Sequence, residues 1–581
     1  IIQSLFYDEL NKRPDKRSAQ IQDIELFADI PYLNGGLFRP SITHDGSGDR
    51  EAFDESAFDV RDSVLKSILE LLESYSFSTD GSLTDLDPSV LGNVFEKTIN
   101  YITADNADQN KELGAYYTPK EITRFSAERT VRPALFDRLK RVLIEERGWP
   151  EAELDNYETV YELIESVPPS MDLVNALLDE VNEFRVVDPA CGSGHFLTSV
   201  LEEIVSVRQA LWAQNESYPH EQKLKKTTVQ HNIYGVDIVG PAVEIAKLRC
   251  WLSVIAELEQ DDLETLDQEE LALPNIAFNL RQGNSLIGYT GFPEKTEDGD
   301  GYTLDSFNED TVRTRYENII TEITAYEESI TSEQAEQHRT EANRLLKNAR
   351  DELVDDVKDE FVDAGVEELT PEKVVTFDPF HWVLEYAEVY ADGGFDVIVG
   401  NPPWDRVKPL RDDYFVRYDE KFRTYMPEEK DRRQEELLED NEITRGWEEY
   451  RRDIDIMATY FNKSDIYELQ RPTVAGRTQG TENDLSALFL ERVFQIARND
   501  GQVAQVLPGT IFTGSSGKDL RIELLDNAEI NVLAHFMNHG IFDGIDSRYK
   551  FSVVTFENQG STDEVLSIYR EGGVEVLRNI S

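Results

Sequence analysis

The sequence predicts an α/β fold built on a doubly wound, mostly parallel sheet, with an N-terminal helical domain and helical insertions. Three stretches carry that expectation. "EFRVVDPACGSGHFLTSVLEEIV" reads as strand, glycine turn, helix; "NIYGVDIVGPAVEIAKLRCWLSVI" repeats the grammar; "GGFDVIVGNPPWDRV" runs a β-branched segment straight into two prolines. Strands alternating with helices in this manner form parallel sheets covered on both faces. Ligands then bind beyond the carboxyl ends of the strands.

Taken in order, residues 1 to about 110 read as a helical domain. Val60, Val64, Leu65, Ile68, Leu69 and Leu72 fall at helical spacing, and a second helix starts after Asp87-Pro88, with proline suited to the first turn. From about residue 184 the strand grammar begins. Val186-Val187 leads through Asp188 into Gly192-Ser193-Gly194; a second strand ends at Gly235-Val236-Asp237, and a third, in "NIAFNLRQGNSLIG", at Gly283-Asn284-Ser285. A helical insertion follows at about 295–375. Its two charged stretches break near 329–333 and read as a hairpin, with Ile319, Ile320 and Ile323 on one arm and Leu345, Leu346, Leu353 and Val357 on the other. The fourth strand, Phe395-Asp396-Val397-Ile398-Val399, stops at Asn401-Pro402-Pro403-Trp404, because two prolines cannot continue a ladder. A second, charged insertion occupies about 405–480. Then "LSALFLERVFQIA", "GQVAQVLPGTIF", "INVLAHF" and "KFSVVTFE" supply a helix and three strands.

Composition sets the surroundings. The 581 residues suffice for two or three domains, and a start at Ile1 rather than Met suggests a piece of a longer protein. Acidic residues number 115 against 58 Lys plus Arg, a net charge of −57, spread evenly along the chain. That pattern fits a halophile, in whose salty cytoplasm acidic surfaces keep proteins soluble. No apolar run is long enough to span a membrane and no signal peptide is visible, so a cytoplasmic protein with no membrane partner is expected. Two cysteines, Cys191 and Cys250, make neither a disulfide framework nor a zinc site, and no metal is expected.

The turns indicate the ligand. Glycines between a strand and a helix let backbone approach a ligand at the helix N-terminus. A dinucleotide turn requires a third glycine, where this chain has Leu197. Asp237 is placed to hold two ribose hydroxyls, and the Asn284 amide to meet an adenine edge. A nucleoside without a pyrophosphate fits better than a nicotinamide dinucleotide. "TGSSGKDL" is not a phosphate loop, since Phe512 and Asp519 stand where Gly and Ser/Thr are needed. No nuclease constellation appears: Glu221-Gln222-Lys223 lacks a suitably placed upstream Asp outside the cofactor turn.

"DPACGSGHF", "GVDI", "GNSL" and "GNPPW", in that order, resemble motifs I to IV of the gamma-group amino-type DNA adenine-N6 methyltransferases. Such enzymes occur in type IIG restriction-modification enzymes and in BREX and DISARM phage-defence methylases. "ELGAYYTPKEIT" at 112–123 is similar to their motif X, and "DIPYLNGGLF" at 29–38 resembles the helical connector of the type IIG enzymes. Asn284 stands where many relatives have Asp.

The resemblance implies a Rossmann-like, S-adenosyl-L-methionine-dependent methyltransferase domain at about 111–581, a connector at 1–110, and a target-recognition domain beyond Ser581. Tyr117, Thr118 and Pro119 would close over the methionine end of the cofactor, with the Thr118 hydroxyl suited to its carboxylate. Asp188, Ala190, Gly192 and Gly194 would line the cofactor, Asp237 its ribose, and Asn284 with Ser285 its adenine.

The substrate implied is a flipped adenine in double-stranded DNA, in restriction-modification or phage defence, with other defence-system subunits as further partners. Adenine's N6 amine is a poor nucleophile because its lone pair is delocalised into the ring. The Asn401 side-chain oxygen and the Pro402 carbonyl would each accept one amine hydrogen, on the rigid tip that Pro403 completes. Trp404 would stack on the extruded base, with Phe542 on its other face and Tyr549 or Phe551 as alternatives. Basic residues at 404–480, among them Arg406, Lys408, Arg411, Arg432 and Arg433, suit phosphate contacts or a solvated helical face. Two other functions are compatible with the same clamp: methylation of glutamine amides in proteins, and a non-catalytic scaffold binding cofactor and DNA.

Overall fold

A computed structural model describes residues 118–258, 274–291, 309–329, 332–474, 477–478, 483–542, 545–570 and 573–579, with scattered residues earlier in the chain. The expected connector, including "DIPYLNGGLF" and the helix after Asp87-Pro88, falls almost wholly outside the described residues, as does Tyr117.

Eight strands form the main sheet: β1 (Val186–Asp188), β2 (Ile233–Asp237), β3 (Leu280–Gln282), β4 (Phe395–Gly400), β5 (Ala497–Pro508), β6 (Glu529–Met537), β7 (Lys550–Glu557) and β8 (Leu566–Arg570). Their order is β8-β6-β7-β5-β4-β1-β2-β3. The chain divides into two compact units. One comprises Ile1–Gly92, Val131–Leu353 and Val375–Val397; the other comprises Asn93–Thr130, Val354–Val374 and Ile398–Ser581.

In the first unit β1, β2 and β3 are parallel, with Asp188 opposite Gly235 and Asp237 opposite Gln282. Helices α1 (Met171–Asn182), α2 (His195–Ala213), α3 (Glu221–His231) and α4 (Gly240–Ile255) belong to this unit. The buried Arg208 guanidinium ties three of its segments together. It donates to Asn182 Oδ1 (2.7 Å), Thr228 Oγ1 (3.0 Å) and Asn232 Oδ1 (2.9 Å). Such a network is tolerable in a core because each guanidinium nitrogen has a partner.

The expected hairpin is present as α5 (Glu309–Glu327) and α6 (Ser332–Asp363). Ile319, Ile323 and Tyr326 of the first arm pack with Ala335, Ala342 and Leu346 of the second, against Phe278 and Ala387. Arg350 and Arg281 both pair with the buried Glu385 carboxylate.

The second unit contains an antiparallel strand within the mostly parallel sheet that the sequence predicts. β7 is antiparallel to both β5 and β6, with Phe551 opposite Pro508 on one side and Phe536 on the other, while β6 and β8 are parallel. The reason lies in the connections. A parallel return needs a crossover of a dozen or more residues, usually helical. α9 (Lys518–Asp526) lies between β5 and β6, whereas the link from Met537 to Lys550 carries no helix among its described residues.

The charged insertion also holds a long helix, α7 (Asn441–Lys463), capped by Asp440, whose carboxylate accepts from the Glu442 and Ile443 amides. Trp447 packs with Tyr414, Phe415, Phe422 and Leu437. The expected helix before β5 is α8 (Leu485–Ile496).

Candidate active site

The first unit contributes two strand-end turns. Asp188 closes β1 with its side chain turned back on the loop, where Oδ1 accepts from the Ala190 amide at 3.0 Å. It does not cap the following helix, which begins from Gly194 in the left-handed region. Gly192 and Gly194 have φ of +50° and +83°, and they serve different ends. A Cβ on Gly194 would meet the Ala246 Cβ at 3.1 Å, so this glycine lets α2 approach α4. A Cβ on Gly192 would meet nothing within 4 Å. Bare backbone beside open space is what a close-approaching nucleoside requires.

Asp237, at the end of β2, spans both turns. Its Oδ2 accepts from the Gly192 amide at 2.8 Å and its Oδ1 from the Val239 amide at 2.8 Å. Each carboxylate oxygen keeps capacity for one further donor, enough for a pair of vicinal hydroxyls. Burial pushes the Asp188 carboxyl up to about 8; the Ala190 amide opposes the shift and nearby Asp237 adds to it. Burial raises Asp237 as well, against the pull of its two amide donors.

Asn284 and Ser285 are both buried and engaged with backbone. Asn284 Nδ2 donates to the Phe377 carbonyl at 3.3 Å, and its Oδ1 accepts from the Leu286 amide at 3.1 Å. Ser285 Oγ donates to the Pro189 carbonyl at 2.6 Å, bracing the first turn from the third. These bonds give both residues a structural task that the sequence expectation of adenine contact did not contain.

The second unit carries the rigid tip. Asn401 follows β4, and its Nδ2 donates to Thr118 Oγ1 at 3.1 Å. Its Oδ1 is buried and has no hydrogen-bond partner. A buried acceptor left without a donor costs about 1–3 kcal/mol. Thr118 is 4% exposed and lies two residues before the helix Lys120–Glu145, whose Ile122 and Thr123 amides donate to the Pro119 carbonyl.

Trp404 does not present a free ring. It is 8% exposed, its Nε1–H donates to the Val506 carbonyl at 3.3 Å, and it stacks on Tyr549 at 5.5 Å and 13°. Phe542 meets it edge-on at 5.0 Å and 72°, and Phe551 lies at 6.1 Å. Of the three aromatics expected to oppose Trp404, Tyr549 is the closest to parallel and Phe542 is edge-on. Sequence reasoning missed Asn538, which is fully buried and holds the loop carrying Phe542. Its Oδ1 accepts from the Phe542 amide at 2.6 Å, and its Nδ2 donates to the Phe542 and Ile545 carbonyls. An Asn opening a helix-free link after a strand is the signal that could have marked it.

Many basic residues near 411–436 are already paired with acids: Arg411 with Asp431, Lys430 with Asp412, Arg433 with Asp419 and Arg432 with Glu429. Among the described residues no group of His, Cys, Asp and Glu could hold a metal ion, and no helix is long and apolar enough to cross a membrane.

Comparison with known proteins gives concordant matches. Residues 231–432 and 459–542 match the Eco57I restriction-modification methylase family, and residues 164–287 match the DNA-methyltransferase domain of MmeI. A putative type II restriction enzyme and methyltransferase from Methanocaldococcus jannaschii is 31% identical over 469 residues, covering 69% of this chain and 37% of that protein. The chain thus spans little more than a third of that relative's length. Among solved structures, the type IIL restriction-modification enzyme MmeI in complex with DNA aligns with 98% of this chain and 50% of its own, at 14% identity and a TM-score of 0.43. A modification subunit of a putative type I restriction enzyme from Vibrio vulnificus aligns with 94% of this chain and 63% of its own, at 12% identity and a TM-score of 0.34.

Proposed function

The chain belongs to the restriction-modification methylases, and on that premise we propose that it moves a methyl group from S-adenosyl-L-methionine to the N6 amine of an adenine flipped out of duplex DNA. The observation that carries this reading is the Asn401 carboxamide, whose buried Oδ1 lacks a donor. An exocyclic amine supplies one.

The cofactor, when bound, supplies a methyl group made electrophilic by a sulfonium. The Gly192 backbone and the Asp188 and Asp237 carboxylates suit its nucleoside and its positive charge. Asn284 and Ser285 hold the turns in shape. Asn401 Oδ1 and the Pro402 carbonyl accept the two amine hydrogens, which pulls the nitrogen toward tetrahedral geometry and frees its lone pair. Rate enhancement then rests on positioning and preorganised acceptors, with no covalent enzyme intermediate. No strong base is needed before attack, because the nitrogen becomes acidic only once methylated. Extrusion of the base is required, since neither acceptor reaches an amine inside a paired duplex. The Trp404, Phe542 and Tyr549 cluster follows the clamp in the second unit; Trp404 and Phe542 are buried, so stacking on the extruded ring requires the cluster to open.

The test is product identity. The full-length protein, with duplex DNA and labelled cofactor, should yield N6-methyladenine on nucleoside digestion and mass spectrometry. Asn401→Ala should lose about 10²-fold or more in turnover while still binding cofactor. N4-methylcytosine as the product would overturn the adenine assignment, because its amine satisfies the same two acceptors. Methyl label on a protein glutamine and none on DNA would favour a protein substrate.

A further inference from the structure

We propose that Thr118 is a positioning residue that sets which end of the Asn401 amide faces the substrate, and that it does so when its hydroxyl donates its hydrogen bond to the carboxylate of the methyl donor. This rests on the clamp reading above and adds a coupling between the two ligands.

A carboxamide can turn through 180° with little change in shape. With Nδ2 toward Thr118, the oxygen is left to accept from an amine; turned over, the NH2 group would face the amine, two donors would meet, and the clamp could not work. Thr118 alone does not decide between these orientations, since a hydroxyl both accepts and donates one hydrogen bond. In the structure it accepts from Asn401 Nδ2 at 3.1 Å, and Asn401 Oδ1 is the buried, unpartnered atom. That orientation leaves the Thr118 proton to be placed. Once it is donated in a hydrogen bond to an anionic acceptor, only lone pairs remain for Asn401, and the opposite amide orientation loses its bond.

The surroundings suit such a relay. Thr118 is almost wholly buried, so water does not compete for the hydroxyl. Pro119 brings no amide proton, and its carbonyl is engaged by Ile122 and Thr123 at 2.9 and 3.2 Å, which fixes the segment. On the other side Asn401 is held between β4 and Pro402-Pro403. A proline follows each residue and restricts its backbone, which leaves the polarity of the hydrogen bond to be set. The carboxylate at the amino-acid end of the cofactor is the matching acceptor, and its arrival would switch the clamp into its accepting state.

The experiment compares wild type, Thr118→Ser and Thr118→Val in the full-length protein, each with S-adenosyl-L-methionine and with its decarboxylated analogue. Thr118→Val should lower kcat about 10²-fold with KM for DNA unchanged and, in calorimetric titration without DNA, should weaken binding of S-adenosyl-L-methionine but not of its decarboxylated analogue; Thr118→Ser should recover most of both losses. Wild type given the decarboxylated donor should fall to a similar kcat. The two changes together should cost little more than either alone, the non-additivity expected of groups acting through one bond. Losses that multiply would overturn the relay, because carboxylate and hydroxyl would then act independently. Thr118→Ser as poor as Thr118→Val would also overturn it, assigning the residue a packing role through its methyl group. Failure of the relay leaves Asn401→Ala inactive, whereas an active Asn401→Ala enzyme would overturn the clamp itself.

Discussion

The Gly192 amide donates to Asp237 Oδ2 at 2.8 Å, joining the glycine turn after β1 to the last residue of β2. The same carboxylate accepts from the Val239 amide, so one side chain holds two loops while keeping acceptor capacity for a ligand. Asp237→Asn replaces one of these acceptors with a donor facing an N–H. Losing a hydrogen bond to a charged group costs about 1.5–3 kcal/mol, or roughly 10- to 150-fold in affinity. Calorimetric titration with S-adenosyl-L-methionine should show a loss in that range. Wild-type affinity in the variant would remove Asp237 from the cofactor site.

Asp188 makes cofactor binding depend on pH. Its carboxyl is pushed up to about 8, mainly by burial, so it is largely protonated at neutral pH in the free protein. The folded-state value lies above the unfolded one. The stability linked to this group is therefore fully present below the ordinary carboxylate range and is lost as pH rises through about 8. A cationic ligand favours the ionised form, so cofactor binding should tighten as pH rises toward 8 and should release protons below it. Titrations at pH 6.5 in buffers of differing ionisation enthalpy would count those protons. Asp188→Asn should abolish the release; an unchanged proton count would mean that another group titrates.

Much of this was legible in the sequence because it is local. Gly192, Gly194, Asp237 and the Asn401-Pro402-Pro403 tip lie at strand ends marked by their own neighbours, and the break between α5 and α6 shows in the helical periodicity. The remainder depends on residues far apart in the chain. The bond from Asn401 to Thr118 joins positions 283 residues apart, and no spacing rule reaches that far. The antiparallel direction of β7 is not legible in the sequence because its apolar run reads the same either way; strand direction is set by the connection. α7 was hidden in a charged stretch because only Trp447, Tyr460 and Phe461 are buried along its 23 residues.

Trp404 should act as a core residue as much as a contact for the base. Its ring is nearly buried against Tyr549 and Phe542, and its Nε1–H is bonded to Val506. Trp404→Ala should cost about 3–5 kcal/mol of stability through the cavity left behind. Trp404→Phe should retain most of the packing while losing the hydrogen bond. Denaturant unfolding measures the first effect. A fluorescent adenine analogue at the target position, read under conditions where the variants stay folded, measures base extrusion. A stable alanine variant that cannot hold the base out would return Trp404 to a purely stacking role.

Salt dependence should show an optimum instead of a steady decline. With a net charge of −57, the protein repels DNA at low ionic strength. The arginines expected to offset this are partly spent: Arg411, Arg432 and Arg433 face Asp431, Glu429 and Asp419, so each phosphate contact must compete with a carboxylate. Exposed pairs of this sort are worth only about 0–1 kcal/mol, and salt weakens them together with the long-range repulsion. At 1 M salt the Debye length is about 3 Å, which silences distant carboxylates but spares base-edge hydrogen bonds and aromatic contact. Counterion release at each neutralised phosphate acts in the opposite sense and weakens binding as salt rises. Affinity and methylation rate should therefore climb from dilute buffer, pass a maximum and fall, across a potassium chloride series run on the full-length protein. Asp419→Asn, which removes one of the two carboxylates that Arg433 faces and leaves it Glu436 alone, should shift the maximum to lower salt. A monotonic loss from dilute buffer upward, with the fold intact throughout, would mean that a concentrated basic surface governs binding and that the acidic surface plays no part in it.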